Sequence, residues 1–267
     1  MTVSVLPADA HIGEVSLTVS DLDRSLAFYT DVLGFAVLGS EPARAALGPR
    51  GGRVIVRLEA RPAAGPRHRR TSGLYHFAVL VRDRAALGRS LRRLAEREWP
   101  LSGAADHLVS EALYLDDPDG LGIEIYRDRP RGTWTREAGE VVMATEPLDL
   151  DGVASEPGAE QPWSGLEEGT VMGHVHLHVP DLAEAERLYC ADIGLSPTLR
   201  RYPGALFVAA GNYHHHLGLN VWAGRGAPPP QAGTVGLDAF TIEAGSLAAR
   251  SVLDDTTRVR VICRPTG

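Results

Sequence analysis

The 267-residue chain reads as an α+β protein built from four repeated β-α-β-β-β modules, the fourth of them shortened. Three observations predict this. EVSLTVSDLDRSLAFYTDVLGF, from Glu14, returns 160 residues on as HVHLHVPDLAEAERLYCADIGL. Val15, Leu17, Val19, Asp21, Leu22, Tyr29 and Gly34 meet Val175, Leu177, Val179, Asp181, Leu182, Tyr189 and Gly194, more in-register matches than chance commonly gives. Within both copies the apolar period changes from two to that of a helix at an Asp-Leu pair. Weaker copies begin at GLYHFAVLVRD and at GLDAFTIEA.

Each module opens on an alternating strand. The Asp that follows suits a helix start, and the amphipathic run ends at a Gly, a C-terminal signal. FAVLGSE and RVIVRLEA are the later extended segments of the first copy. The second module continues as the helix RAALGRSLRRLAERE, then HLVSEALYLDD, a DPDG turn and LGIEIYRD. The third continues as TLRRYP, ALFVAAG and HHLGLNVW. After SLAARSVLDD the fourth keeps only TRVRVICRP. The modules run roughly 11–60, 73–128, 171–223 and 236–264. Taken in chain order, they form a first domain over 9–130 and a second over 169–267. The Pro-, Gly- and acid-rich stretch between them reads as a linker over 131–168.

A net charge of -7 argues against nucleic acid as a partner, and RPAAGPRHRR and GRSLRRLAER read as a solvated loop and helix face. Cys190 and Cys263 are too few for a disulfide framework, which fits a cytoplasmic protein. MTVSVLPADAHIGE lacks the basic start and apolar core of a signal peptide, and no run is apolar enough to span a membrane. Walker, G-x-G-x-x-G, G-x-S-x-G and Cys-x-x-Cys patterns do not occur.

Histidine is placed unusually. His76 and His174 open the first strands of modules two and three, and Glu124 lies in the last strand of module two. Two imidazoles and a carboxylate are the ligand set of mononuclear non-haem Fe(II) oxygenases. His174, His176 and His178 share one strand face. Alone, that face fits hydrogen-bonded or exposed histidines as well as it fits ligands. Glu124, flanked by Ile123 and Ile125, fits a solvent-facing strand position or a carboxylate neutralised by a metal. Of His214, His215 and His216, at least one points inward if the strand is buried, where it could move protons. His107 and Tyr114, taken singly, read as packing or surface residues. Asp116, Asp117 and Asp119 surround a turn.

SDLDRSLAFYTDVLGF, YLDDPDGLGIEIYRDRPR and GHVHLHVPDL resemble the vicinal oxygen chelate superfamily. It includes glyoxalase I, bleomycin- and fosfomycin-resistance proteins and extradiol ring-cleaving dioxygenases. GLYHFAVL, HLVSEALYLDDPDG and YHHHLGLNVWAGR look most like the four-module bacterial catechol 2,3-dioxygenase branch. The likeness covers nearly the whole chain and implies two vicinal oxygen chelate domains. It implies metal ligands at His76, Glu124 and His174, a catalytic His215, and His107 and Tyr114 as substrate-binding groups. The implied metal is Fe(II) or Mn(II), and the implied partners are a small aromatic diol and O2. Exposed edges of the shortened module could invite a homo-oligomer. The superfamily also contains metal-dependent isomerases, lyases and epoxide-opening enzymes, and non-catalytic binding proteins, which stand as alternatives.

The ligand order is permuted. Well-known extradiol enzymes pair module one with two and three with four, with the metal in the last pair. Here Ala239 takes the first-strand His place of module four, and VRVICRP has no Glu. Pairing one with two would offer Glu14, His76 and Glu124. Pairing two with three offers His76, Glu124 and His174 with His215 nearby, and is preferred; one and four then pair without a metal.

Overall fold

Alternation along the chain separates a core face from a cavity face, and the modules are assembled on that division. A computed structural model describes residues 5–266. Residues 1–4, part of the N-terminal stretch read as lacking a signal peptide, lie outside the described residues. Module one holds β1 (His11–Val19), α1 (Leu22–Ala27), β2 (Ala36–Glu41), β3 (Arg44–Gly48) and β4 (Val56–Ala60). Module two holds β5 (Gly73–Leu80), α2 (Arg84–Glu96), β6 (Gly103–Asp106), β7 (Ser110–Asp116) and β8 (Gly122–Asp128). A short hairpin, β9 (Arg136–Glu137) and β10 (Glu140–Val141), and α3 (Leu150–Ala154) follow. Module three holds β11 (Val171–His178), α4 (Leu182–Glu186), β12 (Ser196–Leu199), β13 (Ala205–Ala209) and β14 (Leu217–Asn220). Module four contributes β15 (Gly236–Ala244), β16 (Arg250–Asp254) and β17 (Val259–Pro265), and among the described residues no helix.

The capping signals act as expected. Asp21, Asp83 and Asp181 accept from the backbone N–H groups of Arg24, Ala86 and Glu184 at the starts of α1, α2 and α4. The first and third modules end their helical segments at Gly34 (φ 82°) and Gly194 (φ 103°), a conformation that strains any residue with a Cβ.

Two sheets result. One runs β12-β13-β14-β11-β5-β8-β7-β6 and belongs to modules three and two; the other runs β16-β17-β15-β1-β4-β3-β2 and belongs to modules four and one. The joins are antiparallel, β5 with β11 and β1 with β15. This is the pairing that the ligand positions require. Each sheet therefore draws strands from both 9–130 and 169–267. Val15, Leu17 and Val19 of β1, Val175 and Leu177 of β11 and Val179 just beyond it share the buried core. That leaves His174, His176 and His178 on the opposite face of β11.

The 131–168 stretch is not a loose linker. Val141, Val153, Ala159 and Leu166 are buried. Arg84 reaches the Gly152 carbonyl (3.0 Å) and Glu156 (2.6 Å), and Arg89 reaches the Gly158 carbonyl (2.7 Å) and Glu167 (2.5 Å). Its composition describes a chain that makes little regular structure; basic residues of α2 dock it all the same.

Matching tethers tie the helical segments to neighbouring modules. Tyr29 donates to Asp117 (3.2 Å) and Tyr189 to Asp254 (2.9 Å). Asp117 also accepts from the backbone N–H groups of Asp119 and Leu121, both at 2.8 Å. Burial pushes its carboxyl up to about 6, against the downward pull of those donors. A raised folded-state value means that this group favours folding fully below ~pH 4, and that the contribution fades as pH rises through about 6. Asp117→Asn keeps the acceptor oxygen and stays neutral. It is expected to stabilise the fold at pH 7–8 by up to about 2–3 kcal/mol and to give no gain at ~pH 4. Urea midpoints at the two pH values check this; equal effects at both would count against it.

Candidate metal centre

Strand register brings the site residues into rows. Ala78 of β5 is in register with His174 of β11 on one side and Glu124 of β8 on the other, and Glu124 is in register with Tyr114 of β7. Only a methyl group stands between His174 and Glu124, so their side chains meet over β5. The adjacent row runs Gly122, His76, His176, Gly218. A Cβ on Gly218 would come within 2.7 Å of the His176 ring, so the absent side chain makes room for it.

His76, Glu124 and His174 converge with ligand atoms all within 4.8 Å of one another, and all three are buried. One Glu124 oxygen lies 3.0 Å from His76 Nε2 and 3.2 Å from His174 Nε2. His76 Nε2 nevertheless makes no hydrogen bond, because it is badly aligned with the carboxylate, and His174 Nδ1 also has no partner. A buried donor set of two nitrogens and one oxygen, with an unsatisfied nitrogen facing the other two atoms, fits a divalent transition ion. Burial pushes the His76 imidazole down despite Glu124. Burial alone would raise the Glu124 carboxyl; His174 and His76 outweigh it and hold it well below its ordinary range. Neutral imidazole and ionised carboxylate are the ligand forms.

Glu14 is elsewhere. It lies in the other sheet, 3.0 Å from Arg57 and 3.4 Å from Arg264. Arg264 and Arg53 also hold Glu243, at 2.6 and 2.7 Å. Guanidinium groups occupy the space that a metal would need, and Glu14 does not approach His76 or Glu124.

A cavity of about 500 Å³ opens against the cluster. His107, Tyr114, His176 and His215 line it beside the three candidate ligands, with Phe207, Trp222 and Met143 among the apolar wall. Chain comparison gives the context. A family model for the Glyoxalase/Bleomycin resistance protein/Dioxygenase superfamily matches residues 11–125. The chain is 49% identical over 238 residues to the catechol-2,3-dioxygenase of Bacillus subtilis (strain 168), covering 88% of this chain and 82% of that one. The chain belongs to this superfamily. More distant superfamily-like folds include glyoxalase I from Zea mays (TM-score 0.56, 14% identity, 95% of this chain and 92% of that one). Another is the cppA protein of Streptococcus pneumoniae TIGR4 (TM-score 0.56, 13% identity, all of both chains). At those identities the likeness concerns the fold alone.

In this superfamily member His107 and His215 are held by their neighbours. His107 Nδ1 lies 2.7 Å from the Ala144 carbonyl, which can only accept. A ring with one proton therefore carries it on Nδ1 and accepts at Nε2 from the Tyr114 hydroxyl, 2.6 Å away. Burial, then Glu124, raises the Tyr114 phenol well above its ordinary value, so it stays protonated. The His215 ring lies against that of His174, tilted by 53° with centroids 4.2 Å apart, and burial followed by His174 pushes its imidazole well down. All six residues singled out from sequence thus meet at one cavity.

Other contributors carried weaker signals. Met143, Thr145 and the Ala144 carbonyl come from the stretch read as a linker. His176 was seen as one of three histidines on a face, and its unpartnered Nε2 lies at the cavity. Asp128, which holds His214 at 2.9 Å, carried no signal at all.

Among the described residues no helix is long and apolar enough to cross a membrane. Both cysteines are free thiols.

Proposed function

We propose that the protein is an extradiol ring-cleaving dioxygenase that opens a small aromatic diol with O2, using a single Fe(II) or Mn(II) held by His76, Glu124 and His174. The observation that carries this is the convergence of those three ligands on the cavity that His215 and the Tyr114–His107 pair also line. The Bacillus relative's name points the same way. When bound, such an ion supplies open positions for both diol oxygens and O2, and a path for electron density between them.

The chain's own residues do the rest. Tyr114 keeps its proton and donates it in a hydrogen bond to His107, so its oxygen is left to accept from a substrate hydroxyl. His215, neutral because it is buried, can take a proton on its free ring nitrogen and return it to the opened product. Phe207, Trp222 and Met143 offer apolar surface to the ring and limit water around the reacting atoms. The free thiols suit a reducing cytoplasm. A common need for His215, Tyr114 and His107 favours this reading over isomerase, lyase or epoxide chemistry.

Protein purified without oxygen and loaded with ferrous ion is expected to consume O2 with a catechol in the panel and to yield the yellow ring-opened semialdehyde. Loaded protein that leaves every catechol and the O2 level untouched, yet isomerises a hemithioacetal, would sink the assignment.

A further inference from the structure

Three adjacent histidines cannot share a role. His216 Nδ1 accepts from the Ala210 backbone N–H at 3.1 Å, which fixes its ring outside the site. His214 is fully buried and lies between two groups. Its Nε2 is 2.9 Å from Asp128 Oδ1, and its Nδ1 is 2.7 Å from His215 Nδ1. The partner chemistry orders the protons. A carboxylate can only accept, so His214 carries a hydrogen on Nε2. With a single proton on that ring its lone pair lies on Nδ1, and a hydrogen bond between two imidazoles needs one donor. His215 Nδ1 must supply it. That leaves His215 Nε2 without a proton, and the His215 ring lines the cavity.

Asp128 is itself held. Tyr213 donates to the same Oδ1 at 3.3 Å, and the Tyr213 and Tyr126 hydroxyls lie 2.6 Å apart. Asp128 closes β8 four residues beyond Glu124, so one strand carries both a candidate metal ligand and the anchor of this chain. The arrangement has the logic of a carboxylate that orients a catalytic imidazole. Here a second imidazole is interposed.

We propose that Asp128 and His214 are positioning residues: through the line Asp128–His214–His215 they fix the His215 tautomer, so that its bare Nε2 is presented to the substrate. This rests on the dioxygenase reading for the use of that nitrogen, but not for its protonation state. Asparagine at 128 can turn its amide toward His214 Nε2 as a donor. Each ring would then reverse, and the cavity would receive an N–H in place of a lone pair.

The test has two arms. Histidine-15N NMR of metal-free protein reads the ring nitrogens, with His215 assigned by its loss in His215→Gln. Wild type is expected to show His215 protonated on Nδ1, and Asp128→Asn to show the opposite tautomer. In ferrous-loaded enzyme, Asp128→Asn is expected to lower kcat roughly a hundredfold while KM for a catechol changes less than about threefold. Asp128→Glu, which keeps a carboxylate, is expected to restore the wild-type tautomer and most of kcat. A wild-type His215 protonated on Nε2 overturns the proposal. So does a reversed tautomer with kcat intact, or a kcat loss that Asp128→Glu does not relieve. If Asp128→Asn fails to fold, the wild-type tautomer and the Asp128→Glu pair decide alone. Full activity in His215→Gln would instead refute the role given to His215 in ring cleavage; the metal-free spectra would still judge the hydrogen-bonded line.

Discussion

Glu124→Ala is expected to abolish metal loading and catechol-dependent O2 uptake together. The carboxylate is the one anionic member of the cluster, and it lies within 3.2 Å of both imidazoles. Without it two neutral nitrogens face a divalent ion alone. A bound metal supplies several kcal/mol of stabilisation to the reaction, so losing it costs at least about a thousandfold in rate. A second readout comes from heat. Ligand that binds only the folded state adds ~2.7 kcal/mol at a hundred times its dissociation constant, so wild type melts higher when ferrous ion is added. The variant should show no such rise. Its metal-free melting point should fall somewhat as well, because the carboxylate that the two imidazoles hold ionised is lost and His174 Nε2 gives up its partner; the missing rise on adding ferrous ion is the readout that separates the two effects. Glu14→Ala is the matched control. It breaks the contacts to Arg57 and Arg264 and loses about 1 kcal/mol of stability, but keeps iron content and turnover. Iron retained by Glu124→Ala and lost by Glu14→Ala would reverse the assignment of the centre.

Gly173→Ala has the next largest effect, and it acts without touching a candidate ligand. A Cβ there would run into the Tyr126 hydroxyl and lie 2.6 Å from Cζ of the same ring. Tyr126 is fully buried, hydrogen-bonded to Tyr213 and packed on His174 at 4.8 Å between ring centroids. The ring has no free space to enter, so either it or β11 must shift. Overpacking costs about 1–3 kcal/mol, and a stranded buried hydroxyl about 1–3 more. The expected loss is roughly 2–5 kcal/mol in urea unfolding, together with weaker metal binding as His174 leaves its register with Ala78. Adding Tyr126→Phe removes the atom in closest conflict and should recover part of the loss. A variant as stable as wild type, with unchanged metal affinity, would show that the strand can give way at no cost.

Sequence patterns revealed the modules because the duplicated positions are the ones that packing constrains most. Val15 and Val175, and Leu17 and Leu177, fill the same core places in their strands. Asp21 and Asp181 cap their helices in the same way. The candidate ligands were legible because a histidine recurs in the first strand of two modules and Glu124 lies in the last strand of one, although both histidines sit at the fourth place of their strands and not at the start. The strands β3 and β6, sequences RAALG and GAAD, were not legible: small residues carry little periodic contrast. The docked connector was missed because its order comes from distant arginines on α2. Asp128 was missed because its meaning depends on a partner 86 residues away.

The nested order of the modules bears on how a growing polypeptide matures. β1 meets β15 through pairs such as Glu14 and Thr241, a separation of 227. The sheet that carries the metal cluster needs nothing beyond β14, so it can close while the last module is still being synthesised. The first module pairs β1 with its own β4, but the other edge of β1 must wait for β15 until the chain is nearly finished. Such long-range closure is slow and leaves a strand edge exposed in the interval. Truncation from the C-terminus should therefore expose an adhesive open edge of β1 before it dismantles the half that carries the candidate metal site.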